Sequence, residues 1–277
     1  YIIKKKLRVD EVGFANVVPR LFTLKFPINH HFTIKEFHKF YGEDFYTKKL
    51  KGKNVSAYIN KLKKDKRFKK NIFSFVNKEK DLFSNNGKLG RKILSDEITK
   101  KFGKYFTNLS FVDHHTCHAY YAKFATEKKE KKKSCIIILD SMGDGLNQTL
   151  WLFDPKKNSK ILKKILANAN CDLARIYKMV TLILNMKPDE HEFKVMGMAP
   201  YGKKKYYLKI YKNIFKNIIK FKGLKIVENK RPKDLFIFLK ESLKYERFDN
   251  IAAACQYFLE KIVNELCFRI YKKYKIK

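Results

Sequence analysis

An unbroken apolar run of strand length, Ser134-Cys-Ile-Ile-Ile-Leu-Asp140, dominates the hydrophobic pattern of the chain. A continuous run without alternation marks a strand covered on both faces, so Ile136–Leu139 is expected at the centre of a sheet. Its expected neighbours are a strand within residues 7–18, closed by Pro19, and a second strand at 109–113. After a glycine-bearing turn, Asn147–Phe153 and residues 160–166 flank Asp154-Pro-Lys-Lys-Asn158, the pattern of a hairpin. From 171 onward the period changes. Tyr207, Ile210, Tyr211, Ile214, Phe215, Ile218 and Ile219 fall on one helical stripe, as do Ile251, Ala254, Cys255, Phe258, Leu259, Ile262 and Leu266. Residues 48–104 are strongly basic, with successive helical stretches, and read as a peripheral helical insertion. Strands followed by helices predict the α/β class with a mixed sheet flanked by helices.

Composition narrows the classes. With 45% hydrophobic residues, 24 Phe and 16 Tyr in 277 residues, the chain can bury a substantial core and is not disordered. No stretch approaches the roughly 20 apolar residues of a membrane helix. The N-terminal Tyr1-Ile-Ile-Lys-Lys-Lys6 lacks the order of a secretion signal and begins without Met, which suggests a start inside a longer protein. The net charge of +36 would attract polyanions. Yet of the 63 basic residues only eight are Arg and the other 55 are Lys, spread along the whole chain. Readers of phosphates and bases favour the bidentate Arg fork, so no specific nucleic-acid partner is expected. Five cysteines (117, 135, 171, 255 and 267) contain no CxxC pair. That disfavours a disulfide framework or zinc ribbon, and favours small core residues in a reducing cytoplasm.

Three segments carry candidate chemistry. The first is Asp113-His-His-Thr-Cys-His-Ala119. A helix capped by Asp113 would place His114 and His118 on one face, four residues apart, where two imidazoles can share a metal ion, and would turn His115 elsewhere. A simple hydrogen-bonding pair is the alternative. The second is Asp140-Ser-Met-Gly143-Asp144-Gly145 at the end of the long strand, where ligands gather in α/β sheets. Here Asp140 is a candidate metal carboxylate and Gly143, Asp144 and Gly145 are candidates for lining a phosphate. An ordinary Asp-Gly hairpin turn is the alternative. The third is Asp189-Glu-His-Glu192-Phe-Lys194-Val-Met-Gly197-Met-Ala-Pro-Tyr-Gly202. It predicts a short helix opened by the acidic residues from Asp189 to Glu192 and ended before Pro200. Gly197 leaves room there for a ligand or a backbone.

In this order, DHHxCHA, D-x-x-GDG and E-x-KVMG-x-APYG resemble the signature of the ATP-dependent O-carbamoyltransferases, which include nodulation-factor and antibiotic-tailoring enzymes. Leu173-Ala-Arg-Ile-Tyr177 with Thr181, and Asn250-Ile-Ala-Ala-Ala-Cys-Gln256, are similar to two further helices of that family. The resemblance covers about 109–267 and implies an actin-like ATPase (ribonuclease H-like) fold. It further implies an iron-type divalent metal on His114, His118 and Asp140, beside the phosphate of carbamoyl-adenylate, which is made from carbamoyl phosphate and ATP. The carbamoyl group would then pass to a hydroxyl of a small-molecule or sugar acceptor. A relative that transfers threonylcarbamoyl to tRNA, or a basic nucleic-acid-binding module, are the alternatives.

The family pattern has features that this chain departs from. Its opening strand and first phosphate loop, a later GG-x-x-LN segment with another metal-binding Asp, and the C-terminal domain that makes carbamoyl-adenylate have no counterpart here. Asp140-Ser141 stands where the family has Asp-Gly. The expectation is therefore a fragment of the carbamoyl-transfer domain, incomplete at both ends and inactive alone.

Overall fold

The structure is a computed structural model and describes residues 8–15, 33–39, 87–125, 133–155, 162–171, 173–229 and 235–276. Its elements in chain order are β1 (Val9–Phe14), α1 (Ile34–Lys39), α2 (Gly87–Phe102), β2 (Phe106–Phe111), α3 (His114–Ala125), β3 (Ser134–Gly143), β4 (Leu146–Phe153) and β5 (Lys163–Asn168). They continue as α4 (Leu173–Ile183), α5 (Glu192–Met198), α6 (Lys204–Ile210), β6 (Ile219–Lys222), β7 (Lys225–Glu228), α7 (Leu235–Ser242) and α8 (Phe248–Tyr274). This is a mixed α/β chain, as the pattern predicts. Of the expected basic insertion, α2 and the 3-10 turn Gly103–Tyr105 are described, and 48–86 lies outside the described residues. No helix among the described residues is long and apolar enough to cross a membrane.

The chain divides into two compact units. The first holds β1, α2, β2, α3 and the turn residues Met142–Leu146. β1 and β2 pair in parallel, Val9 opposite Phe106 and Phe14 opposite Phe111, with the two terminal rings 5.8 Å apart. Parallel strands need a long crossover, and α2 lies on it, with Leu94 and Phe106 buried. The strand then delivers the chain into α3. Asp113 accepts the Thr116 N–H at 2.8 Å and the Thr116 hydroxyl at 2.8 Å through the same Oδ1, the capping that its position predicts.

The second unit holds α1, β3 as far as Ser141, β4 from Asn147, and the later elements. Its three-stranded sheet runs β3-β4-β5, with β4 and β5 antiparallel and Leu150 opposite Leu166, so the predicted hairpin forms. The centre of that sheet is β4, not β3. Asn147 through Trp151 are buried on β4, whereas only Ile138 is buried in the Ile136–Leu139 run, the rest being half-exposed. Among the described residues β1 and β2 form a sheet of their own, so the expected neighbours of β3 are also corrected. Among the described residues β3 is an edge strand of its three-stranded sheet, with β4 beside it, and its apolar run, Ile138 apart, is half-exposed.

The polar residues in the middle of β4 are satisfied. Gln148 donates to the Leu224 carbonyl at 2.9 Å and accepts the Ile226 N–H at 3.0 Å. Asn168 donates to Gln148 Oε1 at 2.9 Å and to the Ile226 carbonyl at 2.7 Å. These bonds tie β4 and β5 to the β6–β7 hairpin, which the helical stripe did not anticipate. Ile218 and Ile219, expected on the helix, follow a π turn at Tyr211–Phe215, and Ile219 opens β6. Both are nonetheless buried. Gln148→Leu strands the Ile226 N–H and the Leu224 carbonyl inside the protein. Unfolding in urea is expected to show a loss of about 3 kcal/mol, since each orphaned buried group costs roughly 1–3 kcal/mol.

The middle of α8 is the hub of this unit. Ile251, Ala252, Ala253, Ala254, Cys255 and Phe258 are all buried, and Phe258 stacks on Phe215 at 5.5 Å. Burial pushes the Cys255 thiol far up, so it stays protonated and inert. Cysteines 117, 135, 171, 255 and 267 are all free, but Cys267 is exposed rather than a core residue. Gly202, the last residue of the third segment, lies directly on α8. A Cβ there would fall 2.3 Å from that of Ala253 and 2.9 Å from the Asp249 carbonyl oxygen. Next to it Asn250 accepts the Lys203 N–H at 2.8 Å, and the Tyr177 hydroxyl donates to Gln256 at 3.1 Å. The helices singled out in the sequence thus brace one another. Gly202→Ala is expected to cost about 2 kcal/mol by overpacking, and Ala253→Gly should restore part of it in a denaturation series.

Candidate metal centre

The first turn of α3 presents the histidines, as its spacing predicts. His114 and His118 stand one above the other, and their Nε2 atoms are 3.0 Å apart, with the rings edge-on at 4.6 Å between centroids. At that separation one nitrogen can donate to the other, with the direction set by the tautomers. His115 turns away, is fully buried, and donates from Nε2 to the Leu146 carbonyl at 3.1 Å. Two imidazole nitrogens bound to one cation at about 2.1 Å and roughly a right angle would be about 3 Å apart. The separation of the two nitrogens is thus one that a shared cation would need.

The turn after β3 meets the same helix. Asp144 and Gly145 both have positive φ, +50° and +84°, the requirement of a two-residue type I′ hairpin turn. The backbone thus makes an Asp-Gly turn. Asp144 also accepts the His114 backbone N–H at 2.8 Å through Oδ2, which places a carboxylate at the positive end of α3. Gly143 lies against the His114 ring. A Cβ built on it would sit 2.0 Å from Cδ2, 2.6 Å from Cγ and 2.8 Å from Nε2. Asp140 lies three residues earlier on the same strand, where its Oδ1 accepts the Ser141 N–H at 2.6 Å. Burial, and after it the Asp113 and Asp144 carboxylates, push the Cys117 thiol up.

In the third segment, Glu192 alone of the acidic residues enters the first turn of α5. Asp189 stays outside it at φ +67°, paired to Lys178 at 2.5 Å, and its N–H donates to Glu192 Oε1 at 2.8 Å. The helix stops at Met198, but a 3-10 turn, Ala199–Tyr201, carries the chain through Pro200. Pro200 fits because the first residues of such a turn need no N–H partner. Gly197 is exposed, with open space where a Cβ would point.

Sequence reasoning missed the parts played by Gly143 and Asp144 toward His114. The available signal was local only: Asp before Gly tolerates a positive φ and can accept a helix N–H. Which helix it would meet was not legible.

A family model described as the carbamoyltransferase N-terminus matches residues 23–277. An uncharacterised protein of Methanocaldococcus jannaschii is 29% identical over 213 residues, covering 68% of this chain and 32% of that protein. One from Synechocystis is 28% identical over 180 residues, covering 60% of this chain and 28% of its own. The chain thus spans about a third of the length of these relatives.

Proposed function

The chain belongs to the carbamoyltransferase family, and from that premise we propose that it is the central part of a carbamoyl-transfer domain with an actin-like ATPase fold. The domain moves a carbamoyl group from carbamoyl-adenylate to a hydroxyl of a small-molecule or sugar acceptor. The supporting observation is the His114–His118 pair, whose Nε2 atoms are 3.0 Å apart at the capped start of α3. These two histidines and Asp140 hold the cation in this reading, with Gly143, Asp144, Gly145 and Gly197 as phosphate-facing positions. In this reading residues 48–104 are a basic helical insertion in that domain. A separate domain of the longer protein makes the adenylate from carbamoyl phosphate and ATP. The free cysteines suit a cytoplasmic setting.

Two neutral imidazoles select iron, zinc or nickel over magnesium, and a carboxylate tolerates all of them. An iron-type divalent cation, when bound, supplies Lewis acidity toward phosphate and carbamoyl oxygens. In the transfer itself the acceptor oxygen bonds to the carbamoyl carbon and loses its proton, the bond from that carbon to the phosphate oxygen breaks, and AMP leaves. The chain's own contribution is to hold the ligands rigidly, through the Asp113 cap and the turn beneath His114.

The test uses the longer protein with ATP, carbamoyl phosphate and a panel of hydroxyl acceptors. AMP release is expected to require carbamoyl phosphate, to yield a carbamate ester visible by mass spectrometry, and to fall at least tenfold on chelation. AMP release indifferent to carbamoyl phosphate overturns the reading.

A further inference from the structure

We propose that Gly143 and Asp144 are positioning residues that set the orientation of the His114 ring toward His118, an inference that rests on the metal reading above. A histidine on the first turn of a helix has two freedoms, the fraying of its backbone and the rotation of its ring. Each is removed by one residue of the β3–β4 turn. The Asp144 carboxylate takes the His114 N–H at 2.8 Å and so holds the backbone from which the ring projects. Gly143 removes the second freedom by what it lacks. The ring stands where any side chain would have to be, with three ring atoms within 2.8 Å of an ideal Cβ. In that seat Nε2 of His114 faces Nε2 of His118 at 3.0 Å. The glycine is therefore required for space: a positive φ is found at Asp144 and Gly145 beyond it, not at Gly143. Asp144 adds a positioning bond while serving as the first turn residue, a place where Asp or Asn is tolerated at φ +50°.

Such outer contacts change metal affinity by about 10–100-fold when lost. In Gly143→Ala the new methyl overlaps the ring and must displace it. The expected result is a protein of nearly unchanged melting temperature in which cobalt(II) binds at least tenfold more weakly, with an altered visible absorption spectrum. Asp144→Gly removes the acceptor without straining the turn and should weaken cobalt binding. Asp144→Asn keeps an acceptor oxygen and should restore it. A purely structural role would shift melting and leave the spectrum alone.

A second readout needs no metal. In the metal-free protein an Nε2–H hydrogen bond between the two rings should give an imidazole N–H signal by nuclear magnetic resonance, lost in Gly143→Ala. If Gly143→Ala keeps both that signal and the parent cobalt affinity, the proposal is overturned. If the signal is lost but the parent protein takes up no cobalt, the metal reading fails while the positioning of the ring stands.

Discussion

His118→Ala is expected to empty the proposed metal site. In the longer protein, metal content by mass spectrometry is expected to fall below about a tenth of the parent value, and carbamoyl transfer to fall with it. The loss should exceed the roughly 100-fold upper end seen for outer-shell partners, because the proposed reading makes His118 a direct ligand. His114→Ala should do the same, since its Nε2 is the other half of the 3.0 Å pair. His115 is the control, with a twist that only the structure supplies. It is fully buried and bonded to the Leu146 carbonyl. His115→Ala should therefore lower the melting temperature, at about 1–3 kcal/mol for the orphaned carbonyl, while the folded protein keeps most of its metal. A His118→Ala protein that retains its metal while His115→Ala loses it would reverse the ligand assignment.

Ile138→Asp should abolish soluble expression. Ile138 is the buried member of the β3 run, and an unpaired carboxylate placed there costs several kcal/mol. The neighbouring Ile137→Asp should be much milder, about 1 kcal/mol, because Ile137 is half-exposed on the other face of an edge strand. Urea unfolding of the two variants decides between a one-faced and a two-faced strand. Equal damage from both would restore the fully enclosed strand that the unbroken apolar run suggests.

The elements whose causes are local were legible in the residues alone. Asp113 followed by His114 and His118 announces a capped helix and an i, i+4 pair, because capping and helical spacing act within one turn. The β4–β5 hairpin and the long amphipathic α8 were legible for the same reason. Apolar content also marked β3 as a strand, but it could not rank the strands. The centre of the sheet went to β4, whose Asn147, Gln148 and Thr149 look like surface residues in a list. Gln148 is acceptable inside because Asn168, Leu224 and Ile226 supply its hydrogen bonds, from positions 20 to 78 residues away. Ile218 and Ile219 continued a helical period that a π turn had already ended, and the hairpin that followed kept them buried. The seat of His114 belongs with these. Gly143 reads as a flexible turn residue, yet its role is to leave empty the volume that an imidazole from another element occupies. Residue type and spacing therefore determined which groups could do chemistry and which helix would carry them. Tertiary structure alone decided which polar groups found partners and which ring had a place to stand, because both depend on atoms brought together across long stretches of chain.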